Sequence, residues 1–296
     1  MNTIAHISDI HLSPLPRVRI RDLFNKRLTG YINWKLKRGA NMCPDAGKSL
    51  VEHMLSQRPE MSVVTGDLVN IALPEETRNA AAWLRYLGPS ERVCMVPGNH
   101  DAYLPGSLES ARATYGAYAT GETLNEDPYP FVRRVGQVAI IGCSSAVATP
   151  PFVAAGRFDV EQAERLAKVL QILENAGLYR IVAIHHPPAR EFAYPVRKSL
   201  FGAKLFRDII RQNGAEMVLH GHTHHSSLYS IEGPNAKVPV VGVAAASACP
   251  TSNDPPARYN LFRIEKLQNR WNCTMREFGY QRIGETIVQR LQVRIS

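Results

Sequence analysis

Five short apolar runs of this chain each end in side chains that can bind a metal ion. The runs have the length and composition of buried strands. In an open α/β sheet, polar side chains beyond the carboxyl ends of the strands collect in one functional site. A mixture of imidazole, carboxylate and amide groups suits Mn²⁺, iron or Zn²⁺ better than Ca²⁺ or Mg²⁺. The sequence therefore predicts a metal site built from Asp9 and His11, Asp67, Asn99 and His100, His185, and His222 and His224.

The order of the remaining elements indicates an α/β fold. Strands and amphipathic helices alternate as far as residue 220, and the rest of the chain reads mainly as strands. No repeat, low-complexity tract or linker divides the 296 residues, so we expect one domain over residues 1–296 with two sheets. With 45% hydrophobic and 21% charged residues, the chain can bury a substantial core, which excludes intrinsic disorder for most of it. The clearest predicted helices are 45–57, 75–87, 159–176 and 204–212.

The sequence shows no membrane-spanning helix and no signal peptide, and these features decide the expected compartment. No run approaches the roughly 18 apolar residues of a membrane-spanning helix, and residues 1–10 lack the basic start and apolar middle of a signal peptide. We expect a cytoplasmic protein. The five cysteines are an odd number, lie far apart and form no CxxC pair, so we expect buried, reduced thiols and neither a disulfide framework nor a zinc knuckle.

The ligand-type motifs become specific only in combination. Asp-x-His and Gly-Asp pairs are common in unrelated proteins, and the most specific single motif is Gly221-His222-Thr223-His224. Taken in order, Asp9-x-His11, Gly66-Asp67, residues 98–101 (GNHD), His185 and residues 221–224 resemble the calcineurin-like metallophosphoesterases. The resemblance implies an α/β fold of the α+β type, a four-layer αββα sandwich of two mixed β-sheets flanked by helices. It also implies two divalent metal ions per chain, Mn, Fe or Zn.

The resemblance also assigns roles to individual residues. It implies that Asp9, His11 and His224 hold the first metal ion, that Asp67 bridges, and that Asn99, His185 and His222 complete the second. His185 is preferred to His186 because the first histidine of this pair is the family's usual ligand, and neighbouring residues of a strand point to opposite sides. His100 and Asp101 are the expected catalytic residues. His100 is the expected non-ligand histidine near the substrate, where it would protonate the leaving oxygen, and Asp101 is expected to orient its loop.

Within the family, one branch fits best. Gly98-Asn99-His100-Asp101 followed by His185-His186-Pro187-Pro188 is similar to the class III cyclic-nucleotide phosphodiesterases and glycerophosphodiesterases. This implies hydrolysis of a phosphodiester, a cyclic nucleotide or similar, by a metal-bridging hydroxide. The lipid A pathway hydrolases that resemble UDP-2,3-diacylglucosamine hydrolase commonly carry arginine in place of His100. The histidine at this position therefore counts against that subfamily, but not against every lipid-linked phosphoesterase. The alternatives are a membrane-surface enzyme for a lipid-linked phosphate or pyrophosphate and, more remotely, a catalytically inactive scaffold.

A basic segment follows the first motif. Eight lysines and arginines and one acidic residue lie between residues 17 and 38, so this segment carries seven of the chain's net nine positive charges. Apolar side chains at near-helical spacing lie among them: Ile20, Leu23, Phe24, Leu28, Tyr31 and Trp34. The pattern is typical of a helix on an anionic membrane surface. We therefore expect a basic amphipathic insertion at about residues 14–42, directly beside the metal site.

Other partners for this segment stay open. It could attract an anionic substrate, or its apolar face could simply pack on the domain. The rest of the chain carries little net charge, so no basic stripe for a duplex is evident and no nucleic-acid partner is expected. The expected partners are a phosphoester substrate and an anionic membrane surface through residues 17–38, which would place the protein peripherally on the inner face of the membrane.

Overall fold

Fourteen strands and six α-helices lie in residues 1–39, 42–188, 196–249, 255–268, 270–281 and 286–295, the part of the chain that a computed structural model describes. The strands are β1 (Asn2–Ile7), β2 (Met61–Val64), β3 (Val93–Met95), β4 (Phe131–Val135), β5 (Val138–Gly142), β6 (Gly156–Arg157), β7 (Tyr179–Ala183), β8 (Leu200–Phe201), β9 (Met217–His220), β10 (Ser227–Ile231), β11 (Val238–Gly242), β12 (Arg258–Leu267), β13 (Arg270–Gly279) and β14 (Val288–Arg294). The helices are α1 (Arg27–Asn33), α2 (Pro44–Ser56), α3 (Pro74–Leu87), α4 (Ser107–Tyr115), α5 (Val160–Asn175) and α6 (Ala203–Asn213).

The strands form two six-stranded mixed sheets, which confirms the predicted fold class. The first sheet has the order β14-β13-β12-β1-β2-β3, in which β1, β2 and β3 run parallel. The second has the order β10-β11-β9-β7-β5-β4, in which β5, β7, β9 and β11 run parallel and the edge strands are antiparallel. Strands β6 and β8 pair separately.

Three apolar clusters separate the layers. Ile4, Val63, Ile140, Ile181 and Leu219 are among the side chains buried between the two sheets. The outer face of the first sheet is covered by α2 and α3 through side chains that include Leu50, Met54 and Leu84. The outer face of the second sheet is covered by α5 and α6 through side chains that include Leu166, Leu170, Phe206 and Ile210. The order of layers is therefore helix, sheet, sheet, helix.

Local sequence signals set most helix boundaries. Asp159 precedes α5 and its carboxylate accepts a hydrogen bond from the Gln162 N–H (2.9 Å), which satisfies one of the free donors of the first turn. Pro44 and Pro74 begin α2 and α3, where the missing N–H costs nothing. The four clearest helix predictions are confirmed to within about two residues, as helix ends usually are.

Two cysteines differ from the expectation of reduced thiols. Cys43 and Cys249 form a disulfide, although 206 residues separate them in the sequence. The Cys43 N–H donates to the Ser247 carbonyl (3.0 Å), so the segment before α2 runs beside the segment after β11. The prediction is wrong for this pair because it rested on spacing along the chain. Cys94, Cys143 and Cys273 are buried and free.

The basic segment is a series of short helical pieces. A 3₁₀ turn covers Ile20–Leu23, α1 covers Arg27–Asn33, and a wider π-helical turn covers Trp34–Arg38. Residues 40 and 41 of the expected 14–42 insertion lie outside the described residues. None of the helices in the described ranges is both long and apolar enough to cross a bilayer.

Candidate metal centre

The parallel strands of both sheets bring the expected ligands together. The first sheet contributes the residues that follow β1, β2 and β3, and the second contributes those that follow β7 and β9. Backbone contacts tie the loops to one another. The Asp9 N–H donates to the Gly66 carbonyl (3.0 Å), and the His222 N–H donates to Asp9 Oδ2 (2.9 Å), which joins the two sheets at this point.

The expected ligands also share an unusual backbone conformation. Nine non-glycine residues in the described ranges have positive φ, and five of them are expected ligands: Asp9, His11, Asp67, His222 and His224. Their φ angles lie between 41° and 67°. A positive φ in a non-glycine residue costs about 1–3 kcal/mol of conformational free energy. The strain persists only where the surrounding structure imposes it. Its concentration here points to a functional site.

Asp9, His11 and His224 form the first ligand group. Asp9 Oδ1 lies 3.3 Å from His224 Nε2 and 3.9 Å from His11 Nε2. The two imidazole Nε2 atoms are 3.4 Å apart, so three potential ligand atoms face one gap. Asp9 and His11 are fully buried, whereas His224 is partly exposed.

Asp67 connects this group to a second one. Its Oδ2 lies 3.8 Å from His11 Nε2 and 3.4 Å from His185 Nε2, so the same oxygen faces both groups. Asn99 Oδ1 lies 3.2 Å from His185 Nε2. The His222 ring is 5.1 Å from the His185 ring, measured between centroids. Asp67, Asn99 and His185 therefore form a second ligand group that shares Asp67 with the first. His222 lies beside this group, since its possible ligand atom is within 4.8 Å of those of His185 and His186.

Hydrogen bonds to backbone carbonyls orient three of the histidines. His11 Nδ1 donates to the Val69 carbonyl (3.1 Å), and His185 Nδ1 donates to the Thr65 carbonyl (2.6 Å). In both rings this leaves the lone pair of Nε2 directed at the ligand groups. His222 Nε2 donates to the Lys198 carbonyl (2.9 Å), so Nδ1 is the nitrogen left for a ligand role. Metal-binding histidines are fixed in the same way, by donating their other ring N–H.

The geometry fits divalent metal ions. Bonds of about 2.0–2.2 Å from one ion place neighbouring nitrogen and oxygen ligands about 3–3.5 Å apart, close to most of the separations found here. Asp9 Oδ1 is buried and has no hydrogen-bond partner, which is costly for a carboxylate oxygen unless a cation binds it. The chain's His and Asp groups can therefore hold metal ions.

The charge states suit a cation site. Burial disfavours the charged form of Asp67, but His185 and His100 outweigh this and hold the pKa of Asp67 well below its usual value. Burial also opposes protonation of His185, yet the neighbouring carboxylate of Asp67 raises the pKa of His185 to about 9. Both carboxylates, Asp9 and Asp67, are thus ionised at neutral pH, and a metal ion must displace the proton of His185.

His100 lies beside the two groups without being buried among them. Its backbone N–H donates to Asp67 Oδ1 (2.7 Å), and its Nδ1 donates to the Asn70 carbonyl. The Tyr103 ring stacks on the imidazole with a centroid distance of 5.6 Å. The His11 ring meets it edge-on at 4.8 Å. These contacts fix the orientation of the ring, and a ring nitrogen of His100 lies within 4.8 Å of the possible ligand atoms of His11 and Asp67.

Asp101, expected to act beside His100, contacts the backbone. Its carboxylate accepts hydrogen bonds from the N–H groups of Asp67 (2.9 Å), Leu68 (3.1 Å) and Gly98 (2.9 Å). It is buried, and burial together with the charge of Asp67 raises the pKa of Asp101 to about 7. Asp101 joins the loops after β2 and β3 and is a positioning residue for Asp67.

Comparison with known proteins identifies the family. The model of the calcineurin-like phosphoesterase family matches residues 2–226, about three quarters of the chain. The chain is a calcineurin-like phosphoesterase. Comparison with curated protein sequences gives no significant match. Membership of this family makes the protein a metal-dependent phosphoester hydrolase.

Solved structures show the same fold at low sequence identity. The phosphoesterase is similar to a dimetal phosphatase from Danio rerio, with a TM-score of 0.65, 12% identity and coverage of 100% of this chain and 98% of that one. A purple acid phosphatase from yellow lupin (Lupinus luteus) gives a TM-score of 0.54 at 12% identity, with 93% of this chain and 51% of that one covered. An NAD nucleotidase from Haemophilus influenzae gives a TM-score of 0.50 at 12% identity, with 99% of this chain and 49% of that one covered. This likeness is evidence for the fold alone.

Several residues that support the phosphoesterase site carry no motif of their own. The Tyr103 ring stacks on His100, and three histidines are oriented by the backbone carbonyls of Thr65, Val69 and Asn70. The sequence spacing does not show these contacts, because they depend on the path of the backbone. His186 lies next to the site, but Ser145 Oγ (2.8 Å) and the Ala154 carbonyl (3.2 Å) occupy its two ring nitrogens. It therefore supports the wall of the site beside His222, whose ring lies 4.3 Å away between centroids.

Gly98→Ala is expected to displace Asp67. A Cβ at position 98 would meet Asp67 Oδ1 and lie 2.7 Å from the Asp67 backbone nitrogen. A shift of about 1 Å in a catalytic group can cost about 100-fold in rate, so we expect a loss of that order together with a lower Mn²⁺ content by elemental analysis. Gly116→Ala is the matched control, because its Cβ meets only Arg112 Cβ at 3.8 Å. Wild-type metal content and rate in Gly98→Ala would contradict the assigned position of Asp67.

Proposed function

We propose that this phosphoesterase hydrolyses phosphodiesters, with two divalent metal ions held on either side of Asp67. The observation that carries the proposal is the position of Asp67 Oδ2, 3.8 Å from His11 Nε2 and 3.4 Å from His185 Nε2. One carboxylate oxygen thus faces two ligand groups. Ions bound there would neutralise charge on the phosphate and lower the pKa of a water that attacks phosphorus.

The chain's own residues supply positioning and a proton. Asp101 fixes the backbone of Asp67, and His11 and His185 are oriented by their carbonyl partners. His100 donates from Nδ1 to the Asn70 carbonyl, so in the doubly protonated imidazolium its Nε2–H is the group that would give a proton to the leaving oxygen, and the ring would keep the Nδ1 proton. Stacking on Tyr103 keeps the ring in that orientation. A well-placed general acid contributes about 10²–10⁴-fold to the rate.

The choice of a phosphodiester rests on the motifs around these residues. Gly98-Asn99-His100-Asp101 and His185-His186-Pro187-Pro188 are similar to the cyclic-nucleotide phosphodiesterase and glycerophosphodiesterase branch. An alkoxide leaving group, as in these esters, needs the proton that His100 can give. A cyclic nucleotide or a similar small diester is the leading substrate class.

A substrate panel tests this choice. The Mn²⁺-loaded protein should hydrolyse bis(p-nitrophenyl) phosphate with a higher kcat/KM than p-nitrophenyl phosphate, and it should cleave at least one alkyl diester among cyclic nucleotides and glycerophosphodiesters. The two aryl substrates share one leaving group, so the comparison isolates the second ester bond. A kcat/KM that is higher for the monoester would overturn the phosphodiesterase proposal while leaving the metal centre in place.

A lipid-linked phosphoester is the second candidate. The observation in its favour is the exposure of large apolar side chains, including Ile20 and Phe24, on the segment that follows the ligands Asp9 and His11. The panel should therefore include a nucleotide-sugar lipid and phospholipids. Preferential hydrolysis of these over the small diesters would select this candidate.

A further inference from the structure

The basic segment presents apolar side chains to solvent. Ile20, Phe24 and Leu36 are 80%, 83% and 75% exposed, and Leu28 and Ile32 are nearly half exposed. Leu28 and Ile32 are four residues apart on α1 and so share one face of that helix. Exposed apolar side chains are ordinary when isolated, but several on one short segment mark an interaction surface.

The opposite side of the segment is firmly attached to the domain. The Arg27 guanidinium donates to the carbonyls of Ile71 (2.9 Å) and Ala72 (2.5 Å). Gly30 fits so closely against Tyr103 and Ile71 that a Cβ there would overlap them. Tyr31 packs against the core beneath the first sheet. The side of the segment that contains Arg27, Gly30 and Tyr31 therefore contacts the domain. The exposed apolar side chains lie on the other side.

This division corrects the apolar face read from the sequence. Ile20, Phe24 and Leu28 face solvent, whereas Tyr31 and Trp34 are partly buried and the Trp34 indole nitrogen is enclosed. The segment is therefore not an insertion whose apolar side chains simply pack on the domain. It has an anchored side and an unpartnered side, and both contain large apolar residues.

A loop of the second sheet extends the unpartnered side. The Lys26 ammonium donates to Thr149 Oγ1 (3.0 Å), and the Thr149 hydroxyl donates to the Val153 carbonyl (2.6 Å). Phe152, in the same turn, is 78% exposed. Lys26 thus joins two segments that lie next to the metal centre. We call the exposed apolar side chains on these two segments the rim face: Ile20, Phe24, Leu28, Ile32, Leu36 and Phe152.

The charge around the rim face selects its partner. Arg17, Arg19, Arg21 and Lys35 are exposed, and Asp22 is the single acidic residue between positions 17 and 38. The side chains of Lys37 and Arg38 lie outside the described part of the chain, but their charges add to the total. Apolar side chains that can enter the acyl boundary, surrounded by cations, are the combination that binds anionic bilayers.

We propose that the rim face docks on the surface of an anionic lipid bilayer, with the flanking arginines on the headgroups and Phe24, Ile20 and Leu36 inserted below them. Docking would hold the metal centre at the headgroup layer. The Lys26 ammonium lies 4.5 Å from the centre of the Tyr103 ring, and that ring stacks on His100. The docked segment would therefore contact the side chain that orients His100. The docking itself is independent of the phosphodiesterase activity.

Vesicle sedimentation tests the docking. The full chain should bind vesicles of phosphatidylcholine and phosphatidylglycerol in equal parts at low salt, bind phosphatidylcholine alone much more weakly, and dissociate as salt is added. Ile20→Ser, Phe24→Ser and Leu36→Ser combined should weaken binding at least about tenfold, because each large apolar side chain removed from water contributes about that factor or more. Ile172→Ser with Leu267→Ser, at 54% and 53% exposure elsewhere on the protein, should leave binding unchanged.

A second pair of variants separates local from general charge. Arg17→Gln, Arg19→Gln and Arg21→Gln combined should weaken binding to the mixed vesicles, whereas Lys168→Gln, Arg270→Gln and Arg290→Gln, also exposed, should not. All variants should keep the wild-type melting temperature and the wild-type rate on bis(p-nitrophenyl) phosphate. Absence of vesicle binding by the wild type at low salt, or equal losses in the two charge variants, would overturn the proposal. Failure of catalysis with intact vesicle binding would instead count against the proposed function.

Discussion

Asp67→Ala is expected to abolish phosphoester hydrolysis while leaving the fold intact. Asp67 Oδ2 faces His11 Nε2 and His185 Nε2, so its removal takes a ligand from both groups. Metal ions contribute several kcal/mol of transition-state stabilisation, and each 1.36 kcal/mol is a tenfold change in rate. We therefore expect a loss of at least about 1,000-fold in kcat/KM, together with loss of bound Mn²⁺ by elemental analysis.

An exposed carboxylate provides the control for this variant. Asp208 lies on α6, away from the ligand groups, and pairs with Lys204 (2.9 Å) and Arg211 (3.4 Å) at the surface. Asp208→Ala should keep wild-type metal content and rate. Full metal content in Asp67→Ala, with a circular dichroism spectrum like that of the wild type, would show that Asp67 does not bridge.

His100→Ala is expected to keep its metal and lose proton donation. His100 is not one of the seven expected ligands, so we expect the Mn²⁺ content to match the wild type. For a diester with an alkoxide leaving group we expect kcat to fall by about 10²–10⁴-fold. For bis(p-nitrophenyl) phosphate the loss should be much smaller, because p-nitrophenolate leaves without protonation.

The contrast between these substrates is the decisive part of the experiment. An equal loss on both would mean that His100 binds the phosphate or orders the site without donating the proton. His225→Ala is the matched control, since His225 is exposed and directly follows His224, an expected ligand. It should leave both rates close to those of the wild type.

The site could be predicted from the sequence because its residues sit at strand ends. A parallel strand leaves the sheet at one edge, so the positions after β1, β2, β3, β7 and β9 converge without any knowledge of the loops. The preference for His185 over His186 also had a physical basis. The His185 ring is directed at Asp67 and Asn99, whereas the His186 ring bonds to Ser145 and Ala154.

Other features depend on contacts between distant parts of the chain. The disulfide between Cys43 and Cys249 forms because two loops run side by side, which spacing along the sequence does not indicate. The faces of the basic segment were misassigned because helical spacing alone does not say which side meets the domain. The close fit of Gly30 against Tyr103 and the hydrogen bonds of Arg27 decide that, and both involve residues more than forty positions away.

Anomalous X-ray diffraction from crystals of the Mn²⁺-loaded protein would show whether Asp67 lies between two metal ions, as we propose. We expect two anomalous peaks about 3.5–4 Å apart. One should lie among Asp9, His11 and His224, and the other among Asn99, His185 and His222, with the Asp67 carboxylate touching both. A single peak at full metal loading, or two peaks without Asp67 between them, would show that Asp67 does not bridge two ions.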